Sequence, residues 1–325
     1  MDNEYWDIIS KKLLKLGFNC DNNFLLKLHV KDRLYIEKKI LELPLITCKD
    51  NSLLTRFNLE NNMENQYEIL NLLNKGNYNE IYLIRDIISD IEHVYRYEIN
   101  NKNNEKNNIN NYIQGFVYAF LSEYQKTYFK INGIVKIKHI CYDPKLNTIS
   151  TICKKMNNTL GFLLNKKNIT MEEKIKFLIK ALFEIIYYLK KLQKKFKFVH
   201  NDLLFNNVFY SDKNEPPNID TIKFYIGDMD NCYLEINNYP ISGYLIFNTD
   251  DKFNNKKDLF ILFHSLYYSF NSAEWDELFF NKFPIYRRVK NNQPFFHSLY
   301  KIREINIYDI FNPIIMKKYL KRQFT

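Results

Sequence analysis

His200-Asn201-Asp202-Leu203-Leu204-Phe205-Asn206-Asn207-Val208 is the stretch that decides the fold assignment. Before it lies Met171 to Lys195, where Ile175, Leu178, Ile179, Leu182, Ile185, Ile186, Leu189 and Leu192 recur at helical spacing. That periodicity predicts one long helix with a broad apolar face. After it comes Val208-Phe209-Tyr210, an apolar and aromatic run that predicts a short strand. Asp202 and Asn207 thus share one loop. A second predicted strand, Phe224-Tyr225-Ile226, runs straight into Gly227-Asp228-Met229-Asp230 and sets carboxylates at a strand end.

Phosphoryl transfer asks a protein for positioning and charge more than for covalent chemistry. A carboxylate orients the attacking hydroxyl, and hard oxygen ligands hold Mg²⁺ against the phosphates. Asp202 suits the first role. Asn207 and Asp228 suit the second, with Asp230 as an extra ligand. The competing explanation is an Asn-rich helical protein whose loop polar residues have no shared task. With 44 Asn in the chain, Asn207 alone carries little weight; the order of helix, loop, strand, loop and Asp carries more.

This order resembles the H-R-D-x-x-x-x-N loop and the D-F-G of the protein-kinase superfamily. Asn201 stands at the Arg, and Asp228-Met229-Asp230 stands at D-F-G. Leu204 stands where Ser/Thr protein kinases carry a Lys. Asp258 comes only 28 positions after Asp230, with no A-P-E between them. In these departures the chain is similar to divergent Ser/Thr kinases of large DNA viruses, the poxvirus virion-kinase type. Small-molecule kinases of the aminoglycoside and choline type also lack that Lys.

The resemblance implies an α+β, two-lobed kinase-like fold. A small, mostly antiparallel sheet lobe with one helix would span 66–156, and a larger helical lobe 157–325, after an N-terminal helical extension over 1–65. It implies ATP and Mg²⁺ as cofactors. Asn74-Lys75-Gly76-Asn77-Tyr78-Asn79-Glu80-Ile81 falls in the frame of the Gly-rich loop, with Asn74, Gly76, Asn79 and Ile81 at its key positions. Only Gly76 of its glycines remains, and Asn is the substitute that best tolerates positive φ. Arg96 stands at the phosphate-binding Lys, and the swap changes the fork geometry. Glu123, the sole Glu between Glu105 and Glu172, is its implied partner. Lys155 and Met156 are the implied adenine contacts at the join near Lys154–Thr159. Asp258 would brace the catalytic loop. The implied activity is phosphoryl transfer to protein Ser/Thr hydroxyls by a divergent viral protein kinase. The alternatives are a pseudokinase serving as a nucleotide-binding or scaffold module, and a small-molecule kinase.

The upstream pattern predicts strands over Tyr67–Leu73, Ile81–Ile84, His93–Tyr97, Ile134–Ile140 and Thr148–Cys153. Between them, Asn100 to Asn111 reads as a polar loop, and Tyr112–Lys130 as a helix carrying Phe116, Phe120, Tyr124 and Tyr128. Residues 1–65 read as helices and loops, with a short strand or turn at Pro44, and residues from Lys256 onward, including Ile314 to Leu320, as helices.

Composition bounds the rest. In 325 residues, 46% hydrophobic and 26% charged, a packed core is expected and wholesale disorder is not. The formal charge of +10 invites a nucleic-acid footprint. Abundant Lys, Asn, Ile, Phe and Tyr with scarce Gly and Pro is instead the output of AT-rich codons, which suits a viral source, so nucleic acid is not assigned as a partner; a protein substrate is. Five scattered Cys without a C-x-x-C pair predict neither a disulfide frame nor a zinc site. No apolar run reaches about 18 residues, and Met1 to Asp7 lacks a signal-peptide pattern. The expectation is an intracellular chain, in host cytoplasm or virion, beginning near Met1.

Overall fold

A computed structural model describes residues 3–29, 31–58, 63–76, 79–99, 104–129 and 132–242, together with 257–259, 261, 262 and 265. Three helices open the chain: α1 (Asn3–Leu16), α2 (Phe24–Lys27) and α3 (Arg33–Leu41). Five strands follow, β1 (Leu45–Lys49), β2 (Leu53–Asn58), β3 (Met63–Lys75), β4 (Asn79–Asp86) and β5 (Glu92–Glu98). Then come α4 (Asn104–Tyr124), β6 (Ile137–Asp143), β7 (Thr148–Lys154), β8 (Asn158–Thr159), α5 (Leu160–Asn165) and α6 (Met171–Phe196). Two hairpins, β9 (Val208–Ser211) with β10 (Lys223–Ile226) and β11 (Tyr233–Ile236) with β12 (Tyr239–Ser242), complete the described elements.

Seven strands close into a barrel in the order β1-β2-β3-β4-β5-β7-β6. All neighbours are antiparallel except β1 and β6, which close the ring in parallel through Leu45 and Tyr142. Tyr142 N–H donates to Pro44 C=O at 2.9 Å across that seam. Ile46, Leu54, Tyr67, Ile84, Tyr95, Cys141 and Ile152 pack the interior.

This barrel overturns the expected two-lobed kinase-like architecture with its small, mostly antiparallel sheet lobe. The difference originates in residues read as helices and loops. β1 and β2 contribute two more strands beyond β3, and a sheet that closes on itself leaves no free edge. Both strands are short, five and six residues, and neither carries a sustained period-2 alternation, so the pattern rule passes over them.

A second core joins the helices to the barrel. α4 starts at Asn104, inside the stretch expected as a polar loop, and runs into a π-helical turn over Gln125–Phe129. Its Phe120 meets Phe196 of α6 edge to face, with centroids 5.2 Å apart. α6 occupies the predicted helix. Thr170 and Glu173 form a reciprocal capping box at its start, and Lys197 ends it in the left-handed conformation at φ +47°. Near its middle, buried Glu184 accepts Phe224 N–H at 2.9 Å and ties β10 to the helix.

Among the described residues, no helix is long and apolar enough to cross a membrane. All five Cys are free thiols. Lys130 and the expected helix at Ile314–Leu320 lie outside the described residues, as does most of the chain from Lys256 onward.

Candidate active site

The end of α6 feeds a tightly tied loop. Val199 pairs with Tyr233 through two backbone bonds, of 2.9 and 2.8 Å. His200 follows, fully buried. Its backbone N–H donates to both carboxylate oxygens of Asp258, at 3.0 and 2.9 Å, and Asn201 N–H donates to Oδ1 at 2.9 Å. Asp258 is fully buried too. Burial lifts its pKa, and the N–H donors of His200 and Asn201 pull back against the rise. The bracing role expected for Asp258 is therefore met by geometry.

The His200 ring fixes its own tautomer. Nε2 lies 3.0 Å from Gly227 C=O, which can only accept, and Nδ1 receives Asp202 N–H at 3.3 Å. The ring is neutral with its proton on Nε2, consistent with burial lowering its pKa. One side chain thus holds the loop of Asp202 against the strand end before Asp228.

A 3₁₀ turn over Phe205–Asn207 then leads into β9. Asn207 Nδ2 donates to Asp202 C=O at 2.8 Å and to Asp202 Oδ2 at 3.3 Å. β9 pairs with β10 so that Val208 faces Ile226, and Gly227 N–H reaches Asn207 C=O at 3.0 Å. The hairpin register therefore brings the two chemistry-bearing loops side by side. Asp228 adopts φ +56°, a left-handed conformation uncommon outside Gly and tolerated by Asp. Asp202, Asn207, Asp228 and Asp230 are all brought together.

Arg96 closes this group from β5. Its Nη1 donates to Asp228 Oδ1 and to Asp230 Oδ1, each at 3.1 Å, and its Nη2 pairs with Asp230 Oδ2. Burial, and then the Asp230 carboxylate, hold Asp228 well above the ordinary carboxylate range against the pull of Arg96. Asp202 is also raised, by burial first, with Asp230 adding to it and Asn207 opposing. The Asp228 and Asp230 side chains keep 37% and 35% of their surface exposed, so a ligand can reach both.

The other expected residues fall into two sets. Asn74 pairs with Ile81, Ile81 with Arg96, and Arg96 with Thr151, forming one cross-strand row on the barrel. Asn74 and Asn79 are strand residues without positive φ, so their tolerance of that conformation is not used. Gly76 sits in the connecting turn, its N–H on Asn79 C=O at 2.8 Å. Lys155 and Met156 link β7 to β8, Lys155 paired with Glu92 and Met156 packed on the large core.

Glu123 is not brought to this group as expected. It faces Lys12 at 3.9 Å, while Arg96 is engaged by Asp228 and Asp230. Helix geometry gives the reason. Gln114 is the α4 residue that reaches Asp230, its Nε2 donating to the backbone C=O. Glu123 lies nine positions on, about two and a half turns, which puts it on the opposite face. Gln114 and Asn111 were missed because neither carries charge. Their signal is spacing: with Gly115 and Tyr118 they form an i, i+3, i+4, i+7 stripe. That stripe lines a cavity with Arg96, Asn79, Thr151 and Asp230. Asn79 Oδ1 and Asn111 Nδ2 are buried there without a hydrogen-bond partner, leaving an acceptor and a donor for a polar ligand.

No protein-family model matches the chain, and no curated protein matches it. The resemblance to viral kinases is corrected accordingly. It rests on one loop and one downstream strand end, a spacing that any helix feeding a β-hairpin can produce, and the closed barrel argues against it.

Proposed function

We propose that this group transfers the γ-phosphoryl of ATP, held as its Mg²⁺ complex, to a hydroxyl acceptor, with a protein Ser or Thr hydroxyl as the acceptor class. The observation that supports it is the convergence of Asp202 and Asn207 from one loop with Asp228 and Asp230 from the next, under the Arg96 guanidinium.

The donor set suits Mg²⁺. Asn207 commits its amide N–H to Asp202, which leaves Oδ1 as a hard oxygen that would hold the ion together with the Asp228 carboxylate. Among the described residues no group of three or more His, Cys, Asp or Glu has metal-holding geometry. Mg²⁺ takes one or two carboxylates and completes its shell with phosphate and water, which suits an ion arriving with its nucleotide. When bound, Mg²⁺ would neutralise charge developing on the phosphates. Asp202 accepts the acceptor's hydroxyl proton as the new O–P bond forms and the bond to the ADP oxygen breaks. Its raised pKa brings it nearer the operating pH of a general base. With the two carboxylates holding the cation, Arg96 would offer its charge to the phosphates.

A second reading, a nucleotide-binding module without turnover, is favoured by Arg96, whose grip on both carboxylates opposes metal entry. One experiment separates them. The purified chain is given Mg²⁺, γ-labelled ATP and a generic basic protein, beside Asp202→Ala and Asp228→Ala. Transfer to the acceptor that falls about 100-fold or more in both variants supports catalysis. Unchanged transfer removes the site. A thermal upshift with Mg-ATP and no transfer supports the binding module.

A further inference from the structure

The barrel interior carries a second polar group that phosphoryl transfer does not use. Cross-strand register places it. Leu54 pairs with Tyr67, Tyr67 with Asp86, Ile84 with His93 and Ile152 with His139. Paired residues share a face, and so do residues two apart on a strand. Leu54, Tyr67, Ile84 and Ile152 belong to the interior core, so Arg56, Asp86, His93 and His139 face inward with them. All four lie toward one end of the barrel, where β2 and β4 finish and β5 and β6 begin. A register shift between Ile137 and His139 re-aims Lys138 to the same end. Its Nζ stands 3.2 Å from His93 Nε2 and 3.4 Å from Asp86 Oδ2.

This group is rich in unused donors. Arg56, Tyr67 and His93 are 4%, 0% and 5% exposed. Arg56 Nε, Tyr67 Oη, His93 Nδ1 and His139 Nδ1 are buried without a partner. Buried polar atoms are rarely left so, and these four have hydrogen-bonding capacity open to a ligand. Two cations face one carboxylate, and Asp86 is already committed to Ile88 N–H, Ser89 N–H and Lys138. The surplus is positive and its free atoms are chiefly donors.

We propose that this end of the barrel binds one small inorganic oxyanion, of the phosphate or sulfate class, between Arg56, Tyr67, His93, His139 and Lys138. Arg56 and Lys138 supply the charge, and Tyr67 with the two imidazoles supplies directed N–H and O–H bonds.

Thermal unfolding in sodium phosphate, sodium sulfate and sodium chloride at matched ionic strength tests it. Wild type is compared with Arg56→Gln, with the near-isosteric Tyr67→Phe, and with Arg96→Gln, which reports anion binding at the other site. Phosphate and sulfate are expected to raise Tm by about 3–6 °C over chloride at about 100-fold excess over Kd. The rise should persist in Arg96→Gln, shrink in Tyr67→Phe and vanish in Arg56→Gln. If Arg56→Gln does not fold, Tyr67→Phe decides alone. No rise over chloride in wild type means the orphaned atoms hold water only and overturns the proposal. So does a rise undiminished in Tyr67→Phe, or one lost in Arg96→Gln.

Discussion

Arg96 Nη1 donates to Asp228 Oδ1 across 3.1 Å, joining residues 132 positions apart in the chain. The same guanidinium holds Asp230. A cation of the protein thus stands between the two carboxylates proposed to meet a metal ion.

Burial at Asp228 makes metal binding a contest with a proton as well as with Arg96. Asp228 is pushed up to about 7, by burial and then by Asp230. Below that pH its carboxyl is neutral and a poor ligand. Apparent Mg²⁺ affinity is expected to rise about tenfold per pH unit up to 7 and to level off above it. Titration of Mg-ATP binding at pH 6, 7 and 8 checks this. The linkage has a stated sign as well. A folded-state pKa above the unfolded value contributes stability at low pH that is lost as pH rises through about 7. Asp228→Asn should therefore raise the metal-free Tm at pH 8 and have little effect at pH 4, while abolishing transfer.

Asp258 is the structural post of the loop. Its carboxylate receives three bonds from two backbone N–H groups. In Asp258→Asn an NH₂ group replaces one of those acceptors and faces a donor. A stability loss of about 2–4 kcal/mol is expected, with transfer falling alongside it. Urea unfolding monitored by Trp fluorescence measures the first. A loss below about 0.5 kcal/mol would show that the loop does not depend on this carboxylate.

Gly161 sets the position of Asn207 from outside the site. A Cβ there would lie 2.1 Å from Asn206 Oδ1 and 2.3 Å from the Phe205 ring. Gly161→Ala must displace the Asn206 side chain and the Phe205 ring in the 3₁₀ turn that ends at Asn207. The cost expected is about 1–3 kcal/mol, with at least a tenfold loss of transfer in the fraction that remains folded. Circular dichroism melts and the labelled-ATP assay read the two effects separately.

The two interior imidazoles predict acid lability. Burial first, then Lys138, lowers His93 to about 4. Burial first, then Arg56 and Lys138, lowers His139 to about 3. Each stays neutral in the fold and takes up a proton on unfolding. Their stabilisation is complete above the ordinary His range and is lost as pH falls from about 6.5, at about 1.4 kcal/mol per pH unit per proton. Tm measured from pH 7 to pH 4 should fall, and His139→Gln should flatten the slope.

Legibility in the sequence followed periodicity. α6 was plain because eight apolar residues repeat at helical spacing, and β9 and β10 because each is a bounded apolar run. Their order put Asp202, Asn207 and Asp228 on neighbouring loops, where they are found. β1 was touched only by the short strand or turn read at Pro44 and β2 was hidden, because short strands without alternation look like loops, and with them went the closure of the barrel. Glu123 was singled out by being the one Glu in its stretch, a criterion blind to helix face; Gln114 has the right face and no charge to announce it. The strands that carry His93 and His139 were legible, but polar side chains on an inward face run against the polar-out pattern, so the interior group of Arg56, His93 and His139 was not.

Transfer and binding measured on the same preparation test the central claim most directly. Asp202→Asn keeps the shape and removes the base. Mg-ATP affinity within about threefold of wild type, with phosphoryl transfer reduced by about 100-fold or more, is the predicted result. Transfer at the wild-type rate in Asp202→Asn would contradict it.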